Sequence, residues 1–138
     1  MPKRDSIHEA VKTALGKEDW TISDDPFTVY IEGSKVDVDL AAEKMIIAEK
    51  GIKKIAVEIK SSAKPSIISA FHEALGQYLD YRDIFSDYGV ERDLYLAVSI
   101  ERYKQMMNLP FVKRQIGRYN IKIIVVNVIT ETIEEWIE

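Results

Sequence analysis

Apolar residues recur at helical spacing near the start of the chain, at Ile7, Ala10, Val11, Ala14 and Leu15. The spacing predicts an amphipathic helix capped by Asp5 or Ser6 and ended by Gly16 and the "KED" that follows. The pattern then shortens to strands. "WTISDD" reads as a strand stopped by Pro26, and "FTVYI" and "KVDVDL" flank "EGS" as a hairpin with Gly33 in its turn. In the second of these strands Val36, Val38 and Leu40 alternate with Asp37 and Asp39, so the aliphatics face the core and the acids face out. "KMIIAEKG" and "IKKIAVEIKS" make a further hairpin around Lys50 and Gly51.

In "SAKPS", Pro65 stands where a helix can begin, because its missing N–H costs little in the first turn. That helix, from about Ser66 to Phe85, is predicted to bury Ile67, Phe71, Ala74, Leu75, Tyr78 and Leu79. "DLYLAVSI" alternates as a strand, and "ERYKQMMNL" and "FVKRQIGRY" are helical on either side of Pro110. "KIIVVNVI" is a near-continuous apolar run, as expected of a strand covered on both faces. The order predicts one α/β domain over residues 1–138, a central mixed sheet flanked by helices.

Composition changes the picture in two ways. With 138 residues, 46% hydrophobic, the chain can bury a real core, and no run approaches the apolar length of a membrane helix. The start, "MPKRDSIHEA", lacks the apolar stretch of a secretory signal, so a cytoplasmic protein with no membrane association is expected. Without cysteine there is neither a disulfide framework nor a thiolate metal site. The net charge of −4 argues against a nucleic-acid binder, but the charge is unevenly spread. Arg102, Lys104, Lys113, Arg114, Arg118 and Lys122 follow one another with no acid between them, either a solvated helix face or a phosphate-binding patch.

Candidate chemistry concentrates at Glu58-Ile59-Lys60, the only place where an acid stands two residues before a lysine. On a strand, positions two apart share a face, so a carboxylate and an ammonium project together while Val57 and Ile59 pack the other way. Asp37, Asp39 and Glu43 lie upstream within reach, and the alternation favours Asp39. Clustered carboxylates raise one another's pKa, and a hard cation such as Mg²⁺ relieves that cost. On the long helix Glu73, Gln77 and Tyr81 fall at i, i+4 and i+8, a polar stripe whose Gln77 and Tyr81 could orient a water or a phosphate. Glu9 shares the polar side of the first helix with Asp5 and Lys12, and neither His8 nor His72 is assigned a role.

An early helical acid, a strand acid, Glu-x-Lys and then a helix with Gln-x-x-x-Tyr resemble the PD-(D/E)XK superfamily, whose fold is restriction-endonuclease-like. More narrowly, "DLAAEKMIIAEKGIKKIAVEIKSS", "FHEALGQYLDYR", "DLYLAVS" and "IKIIVVNVITETIEEWI" are similar to the XisH family of fdxN-element excision controlling factors. The superfamily resemblance implies Mg²⁺ or Mn²⁺ bound by Asp39 or Glu43 together with Glu58 and the Ile59 carbonyl, with Glu9 as an outer ligand. It also implies that Lys60 helps the attacking water and that Gln77 steadies the site, with Tyr81, Lys113, Arg114 and Arg118 as candidate DNA contacts. No Pro-Asp dipeptide precedes the Glu-x-Lys, so the upstream ligand stays open between Asp39 and Glu43. The family resemblance implies a role in programmed excision of a DNA element, alongside a partner family called XisI, and with the superfamily resemblance the first expectation is a Mg²⁺-dependent DNA endonuclease acting in that rearrangement. The alternative is a non-catalytic module that binds DNA or protein and controls a separate recombinase. Two subunits would let one small domain address both strands of DNA, which makes a homodimer the expected assembly.

Overall fold

The computed structural model describes residues 4–46, 51–60 and 66–138; the side chains of Asp5 and Ser6, Lys50 of the predicted turn, and Pro65 lie outside what it describes. Helix α1 spans Arg4–Lys17 and buries the five apolar residues its periodicity singled out. Strands β1 (Thr21–Asp24), β2 (Phe27–Ile31) and β3 (Ser34–Val38) follow. Gly33 turns the β2–β3 hairpin at φ 76°, a backbone region that side-chain-bearing residues rarely adopt. The strand predicted over "KVDVDL" is broken at Asp39. Residues up to Val38 stay in the hairpin, whereas β4 (Leu40–Ile46) joins the main sheet.

Strand β5 (Gly51–Ile59) pairs antiparallel with β4, and helix α2 (Ile67–Asp87) follows, its Ser66 hydroxyl accepting the Ser69 N–H at 3.2 Å. Strand β6 (Asp93–Ser99), helices α3 (Ile100–Met107) and α4 (Pro110–Arg118), and strands β7 (Ile123–Asn127) and β8 (Thr132–Ile137) complete the order. Pro110 takes the first position of α4, where it removes no helical hydrogen bond. The six-stranded sheet runs β1-β4-β5-β6-β7-β8, with β5, β6 and β7 mutually parallel and the outer pairs antiparallel.

Residues of alternate parity on the parallel strands feed two cores. Ile55, Val57, Tyr95, Ala97, Ile124 and Val126 pack under α1, while Ala56, Leu96, Val98, Ile123 and Val125 pack under α2, α3, α4 and the β2–β3 hairpin. Because both faces are covered, β6 is buried along most of its length. Strand β8, absent from the sequence reading, closes the sheet edge and stacks Trp136 on Trp20 with ring centroids 5.8 Å apart. Among the described residues no helix is long and apolar enough to cross a membrane.

Candidate functional site

The β4–β5 ladder ends at the Leu40–Val57 pair, and one step further side chains take over its hydrogen bonds. The Asp39 N–H donates to Glu58 Oε1 at 3.3 Å, and the Ile59 N–H donates to Asp39 Oδ2 at 2.8 Å. This reciprocal arrangement locks two carboxylates beside each other at the mouth of the sheet. Meanwhile the Lys60 N–H donates to the Ala97 carbonyl at 2.9 Å, which holds the end of β5 against β6.

Glu58 has the parity of Ala56 and therefore projects toward α2, where it is buried. Burial, followed by the charge of Asp39, pushes its pKa up to about 7, against the pull of the Lys60 ammonium 3.3 Å from Oε2. Lys60 Nζ also donates to Gln77 Oε1 on α2. Gln77 Nε2 donates to the Tyr81 hydroxyl at 3.0 Å, and that hydroxyl donates to the Asp37 carbonyl at 3.4 Å. A chain of contacts thus runs from the ammonium through α2 to the base of the β3–β4 crossover.

The structure brings Asp39, Glu58, Lys60, Gln77 and Tyr81 together, and it places other sequence candidates elsewhere. Glu43 faces Lys54, four residues back along β5 from Glu58, and its carboxylate takes Arg92 Nη2 at 2.9 Å. Of the two upstream acids, Asp39 is therefore the one that stands beside Glu58. Glu9 is exposed on α1 and pairs with Lys12 at 3.8 Å. Asp37 accepts the Thr28 hydroxyl at 2.6 Å on the hairpin surface. Tyr81 is buried, so its ring offers no open face for stacking on DNA, and burial pushes its phenol up. Lys113, Arg114 and Arg118 are exposed on α4, as a solvated or phosphate-contacting face requires. Arg102, read as part of the same basic face, is instead buried on α3. Its spacing of four from Met106, also buried, was the available signal that it shares the inward side of that helix.

Among the described residues no group of three or more His, Cys, Asp or Glu is placed to hold a metal. Two carboxylates do suit Mg²⁺, which typically takes one or two together with waters and phosphate oxygens. Burial first and the Asp39 charge second raise the Glu58 pKa, and the Lys60 ammonium opposes both.

Comparison with known proteins agrees with the fold. A crystal structure of an XisH family protein from Nostoc punctiforme PCC 73102 matches with a TM-score of 0.84 and 40% identity, covering 97% of this chain and 100% of that one. A crystal structure of an fdxN element excision controlling factor protein from Anabaena variabilis matches with a TM-score of 0.84 and 43% identity, covering 98% and 100%. No curated protein matches the sequence. The family model for the XisH protein spans residues 1–134, taking in every strand and helix that builds the site, and the chain belongs to the XisH family.

Proposed function

We propose that this protein is a restriction-endonuclease-like, PD-(D/E)XK-type DNA endonuclease that uses Mg²⁺ or Mn²⁺ and acts in the excision of a DNA element. The observation that carries the reading is the convergence of Asp39, Glu58 and Lys60 at the end of β5, with both carboxylates fixed by backbone N–H groups. Asp39, Glu58 and the Ile59 carbonyl are the groups that would hold the cation. When bound, the cation would supply Lewis-acid stabilisation of phosphoryl charge and a more acidic water. Lys60 places a positive charge where the phosphoryl oxygens gain negative charge, and Gln77 fixes the direction of that ammonium. Lys113, Arg114 and Arg118 are proposed to contact phosphates further along the duplex, and two copies of the chain to address its two strands. A cytoplasmic location follows from acting on cellular DNA.

The test is nicking of supercoiled plasmid with Mg²⁺ or Mn²⁺ by the wild type and by Lys60→Ala, with folding checked by circular dichroism. Loss of cleavage in a folded variant supports the mechanism. Cleavage by Lys60→Ala at the wild-type rate removes Lys60 from it.

A second reading is a non-catalytic factor that controls a separate recombinase, in company with an XisI-family protein. It is favoured by the description of the Anabaena variabilis relative as a controlling factor and by the acidic net charge of −4. A metal that raises the melting point without any DNA cleavage, on plasmid or single strands, would favour it over the first.

A further inference from the structure

Strands β4 and β5 outrun their neighbours at the end of the sheet away from Glu58. Strand β1 reaches along β4 only as far as Glu43, and β6 first meets β5 at Ile55. The pairs Lys44–Lys53, Met45–Ile52 and Ile46–Gly51 therefore form a two-stranded arm whose edges are unpaired among the described residues. Residues directly opposite one another share a face. On the α1 side the arm carries Lys44 and Lys53, and both are engaged. Lys44 Nζ lies 5.9 Å from the Trp20 ring centroid, and Lys53 Nζ lies 3.6 Å from Glu138 Oε2. On the α2 side it carries Met45 and Ile52, which are 72% and 57% exposed. Scattered exposed aliphatics are ordinary, but an opposed pair on a ribbon with free edges invites a partner. Along the free edge of β5, Ile52 and Lys54 border a notch of about 790 Å³ whose other wall is Val90, Arg92 and Asp93.

We propose that this arm joins two copies of the chain, the Met45–Ile52 pair of each seated in the other's notch across a two-fold axis that passes near Ile52. Ile52 belongs both to the apolar pair and to the notch wall. In an isologous contact a residue with both roles lies close to the axis and meets its own counterpart. Charge decides between occupants, because the notch sets Lys54 and Arg92 among Glu91 and Asp93. The acids repel a nucleic acid, and a strongly acidic or basic protein meets charges of its own sign. A second copy brings both signs in the same arrangement. The contacts of Lys44 and Lys53 hold the arm from behind, so little ordering remains to be done on association. Ile52 stands six residues before Glu58 on β5, on the order of 20 Å at the rise of a strand, so the contact leaves the carboxylate site open. The proposal rests on the nuclease reading in giving its two copies a contact surface, and it is measured without metal or DNA, so the two can fail separately.

The experiment is sedimentation velocity of the full chain from low to high micromolar concentration. The wild type should reach twice the 15.8 kDa mass of one chain. Met45→Lys and Ile52→Lys each place a charge in the contact from an exposed position. Both should stay folded by circular dichroism and weaken pairing about thirtyfold or more, the scale of a central interface residue. Ile129→Lys, at a 92% exposed isoleucine between β7 and β8, should pair like the wild type. The chain has no cysteine, so Ile52→Cys under mild oxidation should give a covalent dimer and Ile129→Cys should give none. A wild type that stays monomeric throughout, or that pairs only when DNA is added, overturns the proposal. So does a dimer that both lysine variants leave intact, or one that Ile52→Cys does not cross-link. Plasmid nicking by a monomer would keep the nuclease reading without the arm contact, and a cross-linked dimer without nicking would keep the contact alone.

Discussion

Asp39 and Glu58 clasp each other's backbone: the N–H of Asp39 points at the Glu58 carboxylate, and the Asp39 carboxylate takes the N–H that follows Glu58. Each acid is thus positioned by the strand that carries the other. The geometry costs electrostatic energy, since burial and the Asp39 charge together push Glu58 up to about 7. Asp39→Asn keeps an oxygen for the Ile59 N–H and removes the repelling charge. It should raise the melting temperature at pH 8 by a few degrees, on the order of 1 kcal/mol. The same change should abolish any rise in melting temperature on adding Mn²⁺. Calorimetry with and without the metal reads both effects, and a variant that keeps the metal response would take Asp39 out of the ligand set.

The pH dependence has a defined sign. The folded state holds the Glu58 proton more tightly than the unfolded chain does. Its contribution to stability is therefore fully present below the ordinary carboxylate range and is lost as pH rises toward about 7. A cation must displace that proton, so metal affinity should climb with pH up to about 7 and level off above it. Below that point the slope should approach one decade per pH unit for a single proton released. Titration calorimetry of Mn²⁺ from pH 5.5 to 8.5 in buffers of different protonation enthalpy checks it. A flat profile would mean Glu58 is not the group displaced.

Lys60 sits at the head of a relay through Gln77 to Tyr81, and the members should fail by different amounts. Lys60→Ala should reduce cleavage by about 100-fold or more, the usual cost of losing a charge aimed at the developing oxyanion. Tyr81→Phe removes only the hydroxyl that steadies Gln77, so cleavage should fall by less than tenfold, with about 1 kcal/mol of stability lost. Tyr81 is thus a positioning residue. Lost stability with cleavage unchanged at a temperature where the variant is folded would show that Tyr81 does not act through Gln77 and Lys60.

The sheet and helices were legible because most elements keep one hydrophobic period throughout, as the buried set on α1 illustrates. Strand β8 was not, and the reason is local. The register shifts between Val125 and Val126, so Ile133 faces Val126 and Trp136 faces Ile124, with Glu134 as the extra residue. Both apolar side chains reach the same core although they are three positions apart, and the alternation is lost among acids. The choice between Asp39 and Glu43 was hidden for a different reason. Asp39 ends one predicted strand and Glu43 stands at the mouth of the next hairpin, and only the crossover at Asp39 sets that residue beside Glu58. Arg102 misled because a basic run names charges without saying which way each helix turns them.

Glu43 gives a control that separates the ligand set from the fold. Its carboxylate neutralises Arg92, whose guanidinium also donates to the carbonyls of Ala42 and Ile55 at 3.3 and 3.2 Å and lies 4.9 Å from the Phe27 ring centroid. Glu43→Ala leaves that half-enclosed cation without its partner and should cost about 1–2 kcal/mol, with no change in the melting shift produced by Mn²⁺. Loss of the metal response in this variant, at a temperature where it remains folded, would return Glu43 to the ligand set.

The exposed bases of α4 predict a salt signature. If Lys113, Arg114 and Arg118 each neutralise one phosphate, binding of duplex DNA should weaken with salt along a logarithmic slope that includes all three. Replacing the three by alanine should make that slope shallower by about 3 on duplex DNA, at roughly 0.9 per contact. Anisotropy titrations at several salt concentrations measure the slope. An unchanged slope would leave α4 as a solvated face and move the search for phosphate contacts elsewhere on the molecule.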